Sequence, residues 1–597
     1  MRQTTFRTDE DNDNERIAIP LGIIRLVRGS FRRFGFYDLL DGFKESGISL
    51  SKAIENLVIN SLTGDFSMND WDRRLQNCPL RREYLCGDGD IRRWTLQRSL
   101  ERIAIYLEEI VEHIVKLTRA LYPKMPTHAY ADGSHVKRYG SKGKDVRYGE
   151  GGGSVQLQNQ FMVSSMILSG TPLSIESYPG NLNDPQQYND FIPQLMYLLK
   201  PGSLVVMDNG GSNAKLLDEI VSWGNAYITR VKMNASDDND IENHPETMEY
   251  IGMNVICMSH TFESSGRTIY RFFSVDSYAA AISRAERTVA TKELERQRAQ
   301  KVLNGMNPRK LVKTEKNPFF EVVIDGIKVL MTNDPWLDID PEKELKDAIP
   351  TNGGWFKLES SVPMDPLLVL LIYRHRVDIE HLISSLKSVV NFIPMRVWGE
   401  GTTRGKLVLV LIAQFIVSVA MNDMEPERKI REIDGMPMPV ESRCSPKTFI
   451  QELNAYQGIL SRGEWGGFVV RDLKDPNTAE RMIPVLERYE KEPPIDIPAD
   501  LVWRSDPPAH WGVKEKNFDS LATSIEQGFS ETIFSALMVS RRRCQEALRK
   551  AKEWEKEHKA EKTKGKKGRK TARCPFVEAP DHQNILNCSM DLSESSE

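Results

Sequence analysis

Cysteine is scarce in this chain: seven residues in 597, scattered from Cys78 to Cys588, with no Cys-x-x-Cys pair and no histidine spaced as a partner. A disulfide scaffold or a zinc finger is therefore not expected, and a reducing compartment is the simpler reading. The first sixteen residues, MRQTTFRTDEDNDNER, hold no apolar region, so no secretory signal is expected there. No apolar run is comfortably long enough for a membrane span. The best, Leu407 to Met421, is interrupted by Gln414 and Ser418 and reads as a buried helix. The glycine-rich GEGGGS at 149–154 lacks the Lys-Ser/Thr of a phosphate loop and reads as a flexible turn. No internal repeat is evident.

What is present is an ordinary soluble composition, 40% apolar and 27% charged, on a chain too long for one hydrophobic core. The net charge of −4 hides an uneven distribution. Residues 8–15 are mostly acidic or Asn, whereas 541–573 carry fifteen basic and five acidic residues. Local patches, not the whole-chain charge, set the field that a polyanion would feel. The expected organisation is an acidic N-terminus (1–16), a helical N-terminal DNA-binding domain (17–124), an α/β core in two parts (125–234 and 353–425) and a β-rich insertion between them (235–352). A C-terminal helical region (426–540) and a basic, partly disordered tail (541–597) follow.

The N-terminal domain begins with LGIIRLVRGSFRRFGFYDLL, in which apolar residues recur at three- and four-residue spacing. Its Arg25, Arg28, Arg32 and Arg33 offer a DNA-phosphate contact, although a solvated helix face is the favoured reading. At Pro126 the period changes. THAYADGSHVKRYG reads as a strand containing Asp132, and NQFMVSSMILSGTPLSIESYPG as two strands joined at Ser169-Gly170. A helix (DFIPQLMYLLK), a short buried strand ending on Asp208 (GSLVVMDNG), a helix (SNAKLLDEIVSWG) and a strand (NAYITRVKMN) follow. That order predicts a mixed sheet covered on both faces. The insertion shows strand-like runs, a charged helix and a hairpin signal at Asp325-Gly326.

PLLVLLIYRHRVDIEHLISSLKSVV reads as one long helix. Tyr373, Arg376, Glu380 and Lys387 lie at i, i+3, i+7 and i+14, within about 60° of one another around a helix axis. An Arg376–Glu380 pair alone would be ordinary helix support. The apolar flanks Leu371, Ile372, Ile379, Leu382, Ile383 and Leu386 suggest instead that the helix is largely buried, where charges need partners. Asp378, two residues from Glu380, points to another face.

The spacing Tyr-x2-Arg-x3-Glu-x6-Lys resembles the YREK signature of DDE transposases in the insertion sequence four superfamily. YADGSH stands in the place of the first Asp of that family and VVMDNGGSN in the place of the second. GTPLSIESYPGNLND resembles the stretch ahead of the second Asp, with Gly180, Asn181 and Asp184 as its Gly-Asn-x-x-Asp element. The resemblance covers roughly residues 110–425. It implies an RNase H-like catalytic core interrupted by a β-rich insertion, with helical N- and C-terminal regions. It further implies Asp132, Asp208 and Glu380 as catalytic residues and metal ligands for two Mg²⁺ or Mn²⁺ ions, Asp132 bridging both. Tyr373, Arg376 and Lys387 would hold DNA phosphates.

The implied activity is hydrolysis at insertion-sequence terminal repeats, followed by joining of the 3′-hydroxyl to target DNA. The implied partners are double-stranded DNA and a second copy of the chain, in the cytoplasm on the nucleoid. Trp336 and Trp355 are candidates for stacking on a flipped base, with plain packing the favoured alternative. His135 could approach the metals or serve locally. Asp145 and Asp184 read as loop residues. Two departures stand out: Asp-Asn-Gly-Gly at the second Asp, and a C-terminal stretch of about 170 residues without a clear counterpart. A transposase-derived non-catalytic DNA-binding protein and an RNase H-like cellular nuclease remain as alternatives.

Overall fold

The structure is a computed structural model. It describes residues 16–501 and 522, 523 and 525, apart from short segments, the longest being 306–318 and 333–352. Of residues 292–305, 319–324, 327–332, 427–433 and 436–442 the backbone alone is described. The acidic N-terminus, the basic tail and Trp336 lie outside the described residues.

The catalytic-core region forms on one large sheet. Its centre is β2 (Ala129–Lys137), which pairs antiparallel with β4 (Ser154–Met166) and parallel with β6 (Leu204–Met207). Strand β5 (Pro172–Pro179) lies antiparallel on the outer edge of β4, and β7 (Ala226–Val231) lies parallel beside β6. The order β5-β4-β2-β6-β7, three antiparallel strands followed by two parallel ones, is the RNase H-like arrangement. All four residues of β6, Leu-Val-Val-Met, are buried, as a parallel strand covered on both faces requires. Helices α8 (Asp184–Leu198) and α9 (Ala214–Ser222) complete this half, with Asn183 capping α8 through the Gln186 amide.

Strand β3 (Arg147–Gly151) forms a hairpin with the first half of β4, Gly151 pairing with Ser154. On the far side the sheet does not stop at β7. It continues antiparallel through β13 (Trp355–Ser360), β10 (Thr268–Ser274), β9 (Val255–Thr261) and β8 (Glu249–Gly252). Strand β13, from the second part of the core, thus covers the edge that β7 would otherwise leave open, and strands from the expected insertion extend the sheet beyond it. Asp237 ties this extension together: it accepts from Arg271 Nε at 2.7 Å on β10 and from Lys357 Nζ at 2.6 Å on β13. Helix α10 (Val275–Gly305) leaves β10, and β11 (Phe319–Ile324) pairs with β12 (Ile327–Thr332) across the two residues Asp325 and Gly326.

The remaining helices form a body around one central helix. Helices α1 (Leu21–Arg33), α2 (Phe36–Asp41), α3 (Leu50–Leu62), α4 (Met68–Gln76), α5 (Pro79–Cys86), α6 (Arg93–Ile105) and α7 (Leu107–Leu121) precede the sheet. The long helix expected at 366–388 is two: α11 (Pro366–Arg374) and α12 (Val377–Ser388). The apolar helix α13 (Glu400–Asp423) packs against α3, α6, α7 and β5. It is long and apolar enough to cross a membrane by length and composition, but 83% of its apolar window is buried inside the fold. At Gly405 a side-chain carbon would collide with the Leu100 carbonyl, so glycine lets α13 and α6 meet backbone to backbone.

The C-terminal quarter, read as helix and loop, also holds strands. Strand β14 (Glu427–Ile433) pairs antiparallel with β15 (Met436–Ser442), Ile433 standing opposite Met436. After α14 (Pro446–Ala455), β16 (Gln457–Arg462) pairs with β17 (Phe468–Leu473) and with β1 (Ile17–Ile19), binding the two ends of the described chain into one sheet. Helices α15 (Pro476–Arg481) and α16 (Ile483–Lys491) finish the body.

The arginines of α1 are used here. Arg25 makes a two-pronged contact with Glu490 at 2.7 and 2.6 Å, and Arg28 donates to the buried Glu55 at 2.9 Å. Arg32 donates to the Tyr489 carbonyl at 3.0 Å, and Arg33 pairs with Asp423 and Glu492. They clamp the N-terminal helix to its packing partners, so the DNA-phosphate reading of this helix gives way to an internal one.

Candidate active site

Three elements bring the acids together. Asp132 sits mid-strand on β2, Asp208 caps the turn that ends β6, and Glu380 lies in the first turn of α12. Asp132 Oδ1 accepts from the Gly133 amide at 2.8 Å, and Asp208 Oδ1 accepts from the Asn209 amide at 2.8 Å. Each local bond turns a carboxylate toward the same cleft. Behind Asp208, the Thr229 hydroxyl on β7 donates to its carbonyl at 3.1 Å.

Arg376 stands between the three. Its NH1 donates to Asp132 Oδ2 at 2.9 Å, and its NH2 donates to Glu380 Oε1 at 2.8 Å and lies 3.7 Å from Asp208 Oδ2. The Tyr373 hydroxyl donates to Asp208 Oδ1 at 3.2 Å, and Lys387 Nζ donates to Ser134 Oγ at 2.5 Å on β2. All six residues singled out in the sequence therefore meet beside the middle of β2 and the end of β6.

The break between α11 and α12 corrects the idea that one continuous helix face does this. Arg376 N bonds the Tyr373 carbonyl and Asp378 N the His375 carbonyl, both three residues back, so the chain tightens by one 3₁₀-like turn where Arg376 enters the site. Asp378 faces away from the three acids, with its carboxylate 3.9 Å from His375 Nδ1.

Burial dominates the electrostatics. It pushes the Asp132 carboxyl up to about 6; Arg376 and the Gly133 amide oppose the rise, and Asp208 and Glu380 add to it. Tyr373 is pushed up to about 12, by burial first and then by Asp208. Lys387 is lowered by burial, as is His135, which also feels the charge of Lys387.

Residues that the sequence did not mark complete the site. Ser134 receives Lys387, and buried Tyr188 on α8 donates to the Ala131 carbonyl at 3.3 Å. Gly210 and Gly211 explain the Asp-Asn-Gly-Gly departure. A side-chain carbon at Gly210 would lie 2.8 Å from the Tyr188 ring, and one at Gly211 would lie 2.8 Å from Met207 Sδ. The paired glycines were the available signal. A cleft of about 480 Å³ opens here, lined by Asp132, His135, Gln160, Asp184, Tyr188 and Asp208 among others. Asp184, read as a loop residue, thus lies in the first turn of α8 and borders this cleft. Trp355 packs against Phe273, with ring centroids 5.2 Å apart.

Hard carboxylate oxygens facing one cleft match Mg²⁺ or Mn²⁺ in donor chemistry. Three acids gathered on a single guanidinium also form a site that calls for positive charge. Among the described residues, no group of three or more His, Cys, Asp or Glu stands where it could hold a metal ion as the side chains are placed. The donor set fits; Arg376 holds the space between its members.

Residues 123–416 match the family model of the transposase DDE domain. This matched DDE domain covers a little under half of the chain and contains all six site residues. No curated protein matches the chain in sequence. Among solved structures, a piggyBac transposase synaptic complex with hairpin DNA is similar over 73% of this chain and 79% of that one, at 11% identity and a TM-score of 0.33. An overlap that low carries no argument; the strand order described above stands on its own.

Proposed function

We propose that this chain is a DNA transposase of the YREK-bearing insertion-sequence type, acting on its element's terminal repeats through Asp132, Asp208 and Glu380. The observation that carries the reading is the meeting of these acids, from two strands and a helix far apart in sequence, on the one guanidinium of Arg376. Two divalent cations held by the three carboxylates would supply Lewis-acid stabilisation of the attacking and leaving oxygens.

The chain's own residues do the rest. Tyr373 fixes the orientation of Asp208. Arg376, once its carboxylates have another counter-ion, presents a planar fork suited to two phosphate oxygens, and Lys387 a point charge beside β2. Water cuts the phosphodiester at the element's end and releases a 3′-hydroxyl, which then attacks a phosphodiester of the target or of the opposite strand. No side chain is needed as a covalent nucleophile. Two ends must be paired before joining, so the working form is a homodimer on double-stranded DNA, in the cytoplasm on the nucleoid.

The test is cleavage of a plasmid carrying the gene's own flanking sequences, with Mg²⁺ or Mn²⁺, by wild type and Glu380→Ala. Metal-dependent cutting at the ends that the variant loses by a factor of about 10³ or more supports the reading. Binding without any cutting by the wild type would make the chain a DNA-binding derivative. Equal cutting by both would remove Glu380 from the site.

A further inference from the structure

Strand β2 does not end at the acids. It runs on from Asp132 to Lys137, and the chain then exposes Tyr139 at 76% of its surface. Lys137 Nζ lies 5.8 Å from the centre of the Tyr139 ring, so the two share one side of the chain. Lys137 is directly opposite Gln158 on β4, which is directly opposite Arg147 on β3. Directly paired residues share a sheet face, so Lys137 and Arg147 stand in one row, about 10 Å apart across two strand spacings. Two residues nearer the acids, His135 and Gln160 form the next row on that face, and both line the cleft that Asp132 also borders, although the Asp132 side chain itself alternates to the opposite face of β2.

The hairpin end carries further exposed apolar groups. Tyr148 and Val155 are each 68% exposed, and Trp398 is 46% exposed over the Arg138 guanidinium, 5.7 Å from ring centre to carbon. Of the described basic residues between 137 and 147, Lys137 and Arg147 are exposed and Arg138 is buried. The exposed Tyr139 ring beside Lys137, in reach of the row with Arg147, fits a nucleic-acid strand: the cations meet phosphates and the ring meets a base or sugar face. A protein partner of acidic surface would have no use for the alignment with the cleft.

We propose that the row of Lys137, Arg147 and Tyr139 at the end of β2 is a DNA-backbone grip that tracks the duplex leaving the catalytic cleft. This inference rests on the reading of that cleft as a DNA-processing site. The strand sets the spacing. Five residues from Asp132 to Lys137 at about 3.3 Å each give about 17 Å, or about five base pairs at 3.4 Å per step. The acidic lining at the cleft, including Glu150 of the hairpin, suits the cation-bearing end, and the basic row suits the flank.

The test uses the full-length protein and a fluorescent 30-base-pair duplex of arbitrary sequence, in Ca²⁺, over a range of salt. Lys137→Ala/Arg147→Ala is expected to weaken binding about tenfold and to reduce the slope of log affinity against log salt by about two. Tyr139→Ala is expected to cost about fivefold on a duplex with a single-stranded tail. Circular dichroism of each variant keeps misfolding separate, and sedimentation without DNA reports self-association. Unchanged affinity and slope in the double variant, with a wild type that binds, would overturn the grip alone. A wild type that binds no duplex would overturn the reading of the cleft as well. A change in oligomeric state in place of DNA affinity would assign the surface to a second copy of the chain and overturn the proposal.

Discussion

Burial pushes the Asp132 carboxyl up to about 6 while Arg376 and a backbone amide pull it down. The folded chain therefore holds that proton more tightly than the unfolded one. Stability tied to this group is present below about pH 4 and is lost as pH rises through about 6. Two pH units correspond to roughly 3 kcal/mol, reduced by coupling to the neighbouring acids. In the metal-free protein, Asp132→Asn is thus expected to raise stability at pH 7 by about 1–3 kcal/mol and to give no gain at pH 4, read from urea midpoints. A loss at pH 7 would contradict the burial argument. Mn²⁺ affinity of the metal-free protein should fall as pH drops below about 6, since the ligand must be deprotonated to bind, read by titration at several pH values. Tyr373→Phe removes one donor to Asp208 and should slow cleavage about tenfold with no change in melting temperature.

At the scale of elements, the spacing of Tyr373, Arg376, Glu380 and Lys387 makes their gathering legible in the sequence, because four polar types on an apolar segment need partners. It hid the break between α11 and α12, since three-residue backbone bonds leave no mark in side-chain periodicity. The β11–β12 hairpin is legible in the sequence, whereas the prolines within β15 hide the pairing of β14 with β15. The joining of β8–β10 to the core sheet depends on long-range pairing with β13, which no local pattern carries. That junction offers its own test. Asp237→Ala strips both Arg271 and Lys357 of a buried carboxylate and should cost about 3–5 kcal/mol at neutral pH. Asp237 is held below its ordinary value by its cationic partners against the effect of burial, so its contribution is present at neutral pH and lost as pH falls below the carboxylate range. A variant with wild-type stability at pH 7 would show that the extension is not anchored there.

For the whole molecule, the first and last described elements are one unit. Strand β1 pairs with β16, and Arg25 grips Glu490. Phe449, Leu453, Tyr456 and Tyr489 are all buried against the N-terminal helices and α13. Each such side chain contributes about 1.5–3 kcal/mol of burial, which together approaches the total stability of a typical domain. A chain ending at residue 445 should therefore lose cooperative melting. Retention of a sharp transition would mean that the N-terminal helices fold without their C-terminal partners. This arrangement was invisible in the sequence because the arginines of α1 look the same whether they face solvent, DNA or Glu490.

The central claim is that Asp132, Asp208 and Glu380 form one cation site. Calorimetric titration of the DNA-free protein with Mn²⁺ at pH 7.5 tests it most directly, since it needs no knowledge of the element's ends. The account predicts saturable binding that Asp132→Asn, Asp208→Asn and Glu380→Gln each weaken by about tenfold or more. Binding by all three variants equal to that of the wild type would contradict it.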